Sequence, residues 1–476
     1  MPTFYNFRQD GLDYSFDDIF VPADLFREGN LWVWGLALVG NNTAANVSTP
    51  VTTFAGGTNW KQASAGDEHF AAIKTDGTLW TWGVNSNGRL GTNDTTIRST
   101  PVTTFAGGNN WKQVVACRQH CAAIKTDGTL WTWGVNSNGQ LGTNDTTIRS
   151  TPVTTFAGGT NWKQVIGSKQ SSHMAAIKTD GTLWTWGQAN VGQLGNGATT
   201  GSISTPVTTF AGGNNWKQVS VGSIHTQAIK TDGTLWVWGY NLNGNLGNAS
   251  TTNTSTPVTT FAGGNNWKQV SSGNQNTAAI KTDGTLWVWG NRTFGQLGNT
   301  NRIAVTTTSG SMSASSNVIT GISTSGLSLG DPLRETNPNN SNINGSTITN
   351  IGTGTVTLSS PNGATSYTGT FTFTSSLSGI STPITTFAGG TNWKQVSVGE
   401  DYMAAIKTDG TLWTWGTSGY AQLGNGLIAG TGEVTVKKAN FSRSTPVTTF
   451  AGGTNWRQLD AGSKKVVANT YIDPVI

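Results

Sequence analysis

Two short tryptophan motifs recur seven times along the 476-residue chain, and they constrain its fold more than any other feature. The first motif is Trp-x-Trp-Gly, which begins at Trp32, Trp80, Trp131, Trp184, Trp236, Trp287 and Trp413. The second is Asn-Trp followed by Lys-Gln or Arg-Gln, with its tryptophan at Trp60, Trp111, Trp162, Trp216, Trp267, Trp393 and Trp456. Together they contain all 21 tryptophans, so each tryptophan has a place in the repeat before it has any other role.

One repeat reads roughly STPVTTFAGGNNWKQVSVG and then AAIKTDGTLWVWG, and it contains four short β-like segments. Successive Trp-x-Trp-Gly motifs lie 48 to 53 residues apart, except for the last two, which are 126 apart. The segments AAIK and TLWTWG flank an Asp-Gly pair, which is a strong hairpin signal. WKQVSVG alternates as a strand does, and STPVTTF begins with a proline that the start of a strand tolerates. Four strands per repeat and seven repeats predict an all-β fold, a seven-bladed β-propeller.

The two ends of the chain hold complementary parts of one repeat. After Trp456 the sequence supplies an equivalent of AAIK, but no Asp-Gly pair and no Trp-x-Trp-Gly motif follow. Conversely, GNLWVWG at 29–35 has no Asn-Trp-Lys-Gln before it. We therefore expect residues 31–35 to pair with a strand near 466–472, so that the N-terminal strand closes the ring and protects its edges.

The long interval between the last two motifs indicates an insertion of roughly 75 residues, which we place at 303–378. It is rich in Ser, Thr, Asn and Gly, so a disordered loop is one interpretation. Alternating stretches such as TVTL at 355–358 favour a small inserted β-domain instead. The predicted organisation is an N-terminal arm at 1–30, propeller at 31–302, the inserted β-domain at 303–378, and propeller again at 379–476.

The arm, residues 1–30, is aromatic and acidic. It holds six acidic side chains against two arginines, and its rings are Phe4, Tyr5, Phe7, Tyr14, Phe16, Phe20 and Phe26. Aromatic residues are enriched at the centres of protein interfaces. We predict that an anchor set in the arm binds another protein; its members are Phe4, Tyr5, Phe7, Tyr14, Phe16 and Phe20. The alternative is that the same rings cover an end of this chain's own propeller.

No arrangement of residues typical of an enzyme is evident, so we expect no catalytic residues, no cofactor and no metal site. The four histidines share one repeat position, at His69, His120, His173 and His225, and Asn276, Tyr402 and Lys465 fill that position elsewhere. Metal ligands must converge on one point, whereas equivalent positions on successive blades do not. We expect each of these histidines to form a hydrogen bond within its own loop. Cys117 and Cys121 flank His120 but lack a fourth ligand, and the repeated lysines, such as Lys74, are expected to form a solvated ring.

Charge and hydropathy argue against two classes of partner. Charged residues are only 11% of the chain, and the net charge of +5 is spread thinly, so we expect no nucleic-acid partner. No apolar run approaches the ~18 residues of a membrane-spanning helix, so we expect no membrane insertion. The acidic, aromatic N-terminal sequence is unlike a secretion signal.

The segment WGVNSNGQLG and the Gly-x-x-His before AAI resemble the repeat of the regulator of chromosome condensation family. That resemblance implies a seven-bladed propeller with about one repeat per blade. Members of the family include nucleotide exchange factors for small GTPases, a plant UV-B photoreceptor and a secreted β-lactamase inhibitor. The fold therefore does not by itself specify the function.

Two further segments resemble bacteriophage proteins. SFDDIFVPADLFREGNLWVWG is similar to the start of virion structural proteins of marine cyanobacterial phages, and NINGSTITNIGTGTVTLSS is similar to small β-modules of tail and fibre proteins. The resemblance implies a non-enzymatic virion protein of the tail, fibre or capsid, made in the host cytoplasm and present in several copies. Its expected partners are other virion proteins and a host surface receptor or glycan.

Two other functions follow from the propeller family. One is a guanine-nucleotide exchange factor, or a general protein-interaction propeller in a cell. The other is light sensing. The absence of the photoreceptor's Gly-Trp-Arg-His-Thr motif from the sequence argues against it.

Overall fold

The computed structural model describes residues 29–293, 295–298, 305–322, 333–335, 348–359, 366–374, 379–386, 388–417, 420–424, 443–449 and 452–470. Within these ranges the regular structure consists of β-strands. No helix there is long and apolar enough to span a membrane.

The strands up to residue 291 follow the sequence repeat. In chain order they are β1 (Leu31–Gly35), β2 (Val47–Thr52), β3 (Trp60–Ala65), β4 (His69–Lys74), β5 (Leu79–Gly83), β6 (Arg98–Thr103), β7 (Trp111–Ala116), β8 (His120–Lys125), β9 (Leu130–Gly134), β10 (Arg149–Thr154), β11 (Trp162–Gly167), β12 (His173–Lys178), β13 (Leu183–Gln188), β14 (Ser202–Thr208), β15 (Trp216–Val221), β16 (His225–Lys230), β17 (Leu235–Gly239), β18 (Thr254–Thr259), β19 (Trp267–Ser272), β20 (Asn276–Lys281) and β21 (Leu286–Asn291).

A separate six-stranded sheet follows β21. Its strands are β22 (Val305–Met312), β23 (Val318–Thr320), β24 (Leu333–Glu335), β25 (Ile348–Gly352), β26 (Thr355–Leu358) and β27 (Tyr367–Thr374), in the spatial order β24-β27-β22-β23-β26-β25. None of these strands joins a sheet of the repeat. Strand β21 pairs with β28 (Gly379–Thr385), so the chain returns from the six-stranded sheet to the place that it left.

The remaining strands resume the repeat. They are β29 (Trp393–Val398), β30 (Tyr402–Lys407), β31 (Leu412–Gly416), β32 (Arg443–Thr448), β33 (Trp456–Ala461) and β34 (Lys465–Thr470).

Seven four-stranded antiparallel sheets are formed by the repeats in the described part of the chain. Sheets 1 to 4 consist of β3–β6, β7–β10, β11–β14 and β15–β18. Sheet 5 contains β19, β20, β21 and β28, and sheet 6 contains β29–β32. Sheet 7 contains β33, β34, β1 and β2. The first strand of each sheet contacts the first strand of the next, and β33 of sheet 7 contacts β3 of sheet 1, so the order of contacts is circular.

Sheet 7 combines the two ends of the chain, as their complementary sequences predict. Strand β1 pairs with β34 along its whole length, from Leu31 opposite Asn469 to Gly35 opposite Lys465. The indole N–H of Trp32 donates to Thr470 Oγ1 at 3.4 Å. Trp34 is fully buried and packs edge-on against Trp456, which comes from the other end of the sequence.

The Asp-Gly-Thr-x-Trp motif makes a short relay of hydrogen bonds at each turn between the second and third strands. In sheet 1, Asp76 accepts from the backbone N–H and the hydroxyl of Thr78, at 2.9 and 2.7 Å. The Thr78 hydroxyl in turn accepts from the indole N–H of Trp80 at 2.9 Å. Gly77 has φ +81°, and a Cβ there would lie 2.0 Å from a carbonyl oxygen of the next sheet's connection. The turn therefore requires glycine on both conformational and steric grounds.

Each sheet is joined to the preceding one by a buried tryptophan. The second tryptophan of every Trp-x-Trp-Gly motif donates its indole N–H to a backbone carbonyl of the preceding sheet, at 2.9 to 3.0 Å. The donors are Trp34, Trp82, Trp133, Trp186, Trp238, Trp289 and Trp415, and each is fully buried. At the junction that involves the N-terminal strand, Trp34 donates to the carbonyl of Gln422. The same type of hydrogen bond therefore recurs at all seven junctions between neighbouring sheets.

The glutamine of the Lys-Gln pair joins the first strands of neighbouring sheets. In sheet 2 the Gln113 amide donates to the carbonyl of Val165 at 2.8 Å and accepts from the same residue's N–H at 3.0 Å. The equivalent side chains Gln62, Gln218 and Gln269 make the same pair of bonds. Because both the N–H and the C=O of each side-chain amide are used, these buried or half-buried side chains are satisfied and fix the register between sheets.

We predict that Trp34→Phe destabilises the protein as much as Trp186→Phe does. Each change keeps most of the ring but leaves one buried carbonyl without its donor, which costs about 1–3 kcal/mol. Chemical denaturation of the two variants measures the comparison directly. If Trp34→Phe has no effect while Trp186→Phe lowers the stability, the N-terminal strand is not part of the cooperative fold.

We also predict that replacing residues 303–378 with a short linker leaves the rest of the protein folded. Long excursions from a surface connection cost little free energy, since closure entropy grows slowly with loop length. The circular dichroism spectrum of the variant should keep the β-sheet and aromatic signals of the wild type. Its thermal transition should stay cooperative and unchanged. An unfolded variant would mean that the six-stranded sheet is part of the main core.

Candidate functional site

The circular arrangement has two ends with different chemistry, which follow from the alternating strand directions. One end, the loop side, carries the Gly-x-x-His connections between first and second strands and the connections between third and fourth strands. The other end, the turn side, carries the Asp-Gly turns and the TTFAGG connections to the next sheet.

The histidine position lies on the loop side, but its side chains bond between sheets and not within a loop as we expected. The Nε2 atoms of His173 and His225 lie 3.1 and 3.3 Å from hydroxyls of the next sheet. His69 Nε2 lies 3.1 Å from the Cys121 thiol, and His120 Nε2 lies 3.0 Å from the Met174 sulfur. All four rings are fully buried, so the position is a structural link from each sheet to the next.

Burial also sets the charge of these rings. It lowers the pKa of His120, His173 and His225 to about 3, and it lowers the pKa of His69 well below its usual range. Positive charge on Arg89 adds to the effect at His69 and His120. The imidazoles are therefore neutral at physiological pH and are poor candidates for acid–base catalysis.

The two cysteines are buried thiols. Cys117 and Cys121 are free and inaccessible to solvent, and burial raises the pKa of both. A protonated, buried thiol is neither a nucleophile nor a metal ligand. Among the described residues, no three His, Cys, Asp or Glu side chains converge to hold a metal ion.

The repeated lysines do not form the solvated ring that we expected. Each ammonium group lies 4.4 to 4.9 Å from the centres of two tryptophan rings. These lysines are Lys74, Lys125, Lys178, Lys230, Lys281 and Lys407. The cation–π contacts hold them over the core, because a tryptophan face attracts an ammonium group.

Several charged side chains outside the repeat gather on the loop side, around the first strands. Lys169, in the connection of sheet 3, forms an ion pair with Asp460 of sheet 7 and donates to the carbonyl of Ala461 at 2.9 Å. Asp460 also accepts from the Ser64 hydroxyl and the Ala65 N–H of sheet 1, at 2.8 and 2.9 Å. The Ser397 hydroxyl of sheet 6 also donates to it at 3.4 Å, so one carboxylate joins four sheets across the centre of the ring.

Four further charged groups lie in the neighbouring loop-side connections. Glu400 accepts from the Ser463 hydroxyl at 2.7 Å, and the Lys464 ammonium lies 4.9 Å from the Tyr420 ring. Asp67 lies near Lys464 and Glu400, and burial raises its pKa. Arg118 is exposed in the connection of sheet 2. We call Asp67, Arg118, Lys169, Glu400, Asp460 and Lys464 the loop-side centre.

Two buried cations lie beneath the loop-side centre. Arg89, only 2% exposed, pairs with Glu68 at 3.4 Å and donates to the Ser86 hydroxyl at 3.1 Å. Lys465 occupies the histidine position of sheet 7, and its ammonium lies 5.2 Å from the centre of the Phe70 ring. Burial lowers the pKa of Lys465 to about 7, although Glu68 and Asp67 oppose that shift. Neither cation belongs to the regular repeat.

Sequence reasoning missed the loop-side centre. The signal was present, because Asp460 stands where the other inner strands have serine or an apolar residue and Lys169 lies in an unusually long connection, but nothing in the sequence indicated that they meet. It also missed that the phenylalanines of the TTFAGG connections are exposed. The anchor set predicted in the arm, Phe4, Tyr5, Phe7, Tyr14, Phe16 and Phe20, lies outside the described residues.

Comparison with known proteins gives one family over most of the repeat. The sequence profile of the RCC1-like domain matches residues 29–357. The ultraviolet-B receptor UVR8 of Arabidopsis thaliana is 33% identical over 272 residues, which are 56% of this chain and 61% of the receptor. The chain therefore spans less than two thirds of that relative's length.

Solved structures give the same fold at low sequence identity. Yeast RCC1 (Prp20) in complex with Kap60 superposes with a TM-score of 0.66 at 16% identity, covering 100% of this chain and 97% of the other. Prp20p from Saccharomyces cerevisiae alone superposes with a TM-score of 0.63 at 16% identity, covering 94% and 93%. The architecture is an all-β propeller of the RCC1 type.

We predict that stability falls as the pH drops from 6.5 to 5. The unfolded chain binds protons at the ordinary histidine pKa near 6.5, whereas the buried rings stay neutral down to about pH 3. The contribution of the histidines to stability is therefore fully present well above pH 6.5 and is lost as the pH falls below it, by roughly 2 kcal/mol per histidine at pH 5.

The matched control is a double variant, His173→Asn and His225→Asn, because Asn276 fills the same position in sheet 5. Urea denaturation at pH 7 and pH 5 should show a smaller loss of stability in the variant than in the wild type. Equal losses would show that other groups cause the pH dependence.

Proposed function

The chain belongs to the RCC1-like domain family, and we propose that it is a non-enzymatic, seven-bladed propeller that binds a protein partner. The seven four-stranded sheets and their circular contacts support the blade count. The pairing of β1 with β34 supports closure by the N-terminal strand. The separate sheet of β22–β27 supports an inserted β-domain at 303–378.

The observation that carries the proposal is the distribution of reactive side chains. The repeated histidines, lysines and glutamines are all engaged in packing within or between sheets. Several charged residues that depart from the repeat, among them Lys169, Asp460 and Glu400, gather in the loop-side centre instead. A surface of mixed charge on a rigid scaffold suits recognition of a protein, since complementary charges select partners and speed encounter.

The similar structures are consistent with a protein as the partner. Yeast RCC1 (Prp20) was solved in complex with Kap60, and Prp20p was studied for binding to Gsp1p and histones. Those partners belong to the yeast protein, and at 16% identity they do not transfer residue by residue. Exchange-factor activity on a small GTPase is accordingly the second candidate function.

Light sensing is not part of the proposal, although the UV-B receptor is similar in sequence. The Gly-Trp-Arg-His-Thr motif is missing here. Every tryptophan except Trp32 donates its indole N–H in a bond that recurs with the repeat, such as that from Trp60 to the carbonyl of Gly56 at 2.9 Å. These bonds account for the tryptophans as structural residues.

A role in a bacteriophage particle stays a prediction from the sequence resemblance, because none of the proteins compared above is a virion protein. The same holds for anchoring through the arm, for a host receptor or glycan as partner, and for location in the virion. Mass spectrometry of purified particles of a virus that encodes this chain tests this role, and absence of the protein from them would contradict it.

We predict that a protein partner is lost when the loop-side centre is changed by Arg118→Glu together with Lys464→Glu. The two positions are solvent-accessible, so charge reversal disturbs recognition and leaves the core intact. Chemical crosslinking in the native cell, followed by mass spectrometry, compares this variant with the wild type. Ile97→Ser, at an exposed position outside the loop-side centre, is the control, and a partner retained by all three proteins would contradict binding at the loop-side centre.

Exchange-factor activity is tested separately. Release of a fluorescent nucleotide from the partner GTPase should accelerate with the wild-type protein and not with the loop-side variant. If crosslinking finds a partner but no GTPase responds, the protein is an interaction propeller without exchange activity.

A further inference from the structure

We propose that the arm of this chain binds the turn side of its own propeller, where exposed phenylalanines and lysines recur from blade to blade. The proposal concerns the opposite end from the loop-side centre, so it is independent of the proposed function. It selects the intramolecular alternative of the two that the sequence leaves open for the arm.

The first observation is a series of exposed aromatic rings on the turn side. The phenylalanine of the TTFAGG connection is 65% to 75% exposed in five successive sheets, at Phe54, Phe105, Phe156, Phe210 and Phe261. In sheet 1 the preceding residue, Thr104, donates its N–H to the carbonyl of Leu79, just after the Asp-Gly turn. The rings therefore lie at the turn end of each outer strand. Large exposed rings repeated this regularly are typical of a surface that another segment covers.

The second observation is the charge of the same end. A lysine follows the first tryptophan of six inner strands, at Lys61, Lys112, Lys163, Lys217, Lys268 and Lys394, where these strands begin on the turn side. The six lysines that lie over tryptophan rings are on this side too. The repeated carboxylates there are six Asp-Gly aspartates, so the repeat gives the turn side a clear excess of positive charge.

The third observation is the place where the arm joins the propeller. Gly29 forms a parallel β-bridge with Asn59, in the connection that also carries Phe54. Strand β1 then runs from the turn side to the loop side, since Gly35 lies opposite Lys465 at the loop end of β34. The residues before Gly29 thus start on the turn side, and 28 extended residues can reach roughly 90 Å, enough to cross it.

The chemistry of the arm complements that of the turn side. The arm contributes seven aromatic rings and a net charge of −4, from six acidic residues and two arginines. Its rings can bury the exposed phenylalanines, and its carboxylates meet a cationic surface. A second copy of the propeller is a poorer occupant, because two turn sides of the same positive charge repel each other.

Hydrogen–deuterium exchange of the 476-residue chain, read by mass spectrometry, tests the proposal. Amides of residues 2–26 should exchange at least about tenfold more slowly than in an unfolded peptide of the same sequence. The double variant Phe105→Ser and Phe156→Ser should lose that protection, and so should Lys112→Glu with Lys163→Glu. Raising the salt concentration should weaken protection in the wild type, because the charges concerned lie near the surface.

The matched control is Ile97→Ser with Ile148→Ser. These side chains are 53% and 51% exposed, but they precede the outer strands on the loop side. Protection of the arm should be unchanged in this variant, and all variants should keep the wild-type exchange in the inner strands. Exchange of the wild-type arm at the unfolded-peptide rate would overturn the proposal. So would protection that rises with protein concentration, which indicates the arm of a second copy.

Discussion

Seven indole N–H groups hold the seven sheets together, and the rest of the structure depends on them. Each donates to a backbone carbonyl of the preceding sheet, from Trp82 bonding to Val39 through to Trp34 bonding to Gln422. A tryptophan can do this because it combines a large apolar ring with one directional donor. The ring fills the space between two sheets, and the donor satisfies a carbonyl that burial would otherwise leave unpaired. The glutamine amides likewise satisfy backbone groups between the first strands of neighbouring sheets.

This use of polar groups explains why the repeat contains residues of catalytic type but no catalytic arrangement. A histidine that must stay buried against the next sheet stays neutral, and a lysine held over two indoles stays close to the core. The positions that can take on function are those where one blade departs from the others. Asp460 is such a position, because serine or an apolar residue stands there in the other inner strands, and only the carboxylate can bridge Lys169 and Ser64.

The sequence predicts the strands and the pairing of the chain's two ends because both follow from local motifs. The Asp-Gly-Thr-x-Trp turn is an example, since all of its hydrogen bonds lie within five residues. Apart from the pairing of the two ends, the sequence does not predict side-chain contacts between residues far apart along the chain. The bond from His69 to Cys121 and the ion pair from Lys169 to Asp460 depend on how the sheets are placed around the axis. The cation–π position of Lys125 was missed for a related reason, because its ring partners come from two different strands.

The repeat also makes the two ends of the ring different in kind. On the turn side, the connections TDGT and TTFAGG are nearly constant in sequence, so the surface repeats from blade to blade and suits a long segment that crosses several blades. On the loop side, the connections differ in both length and charge, from GSIH to SKQSSH, so each contributes a different group to one central surface. Repetition therefore favours extended binding at one end, and divergence favours specific recognition at the other. Both properties arise from the same alternation of strand direction, which sends the constant connections to one end and the variable connections to the other.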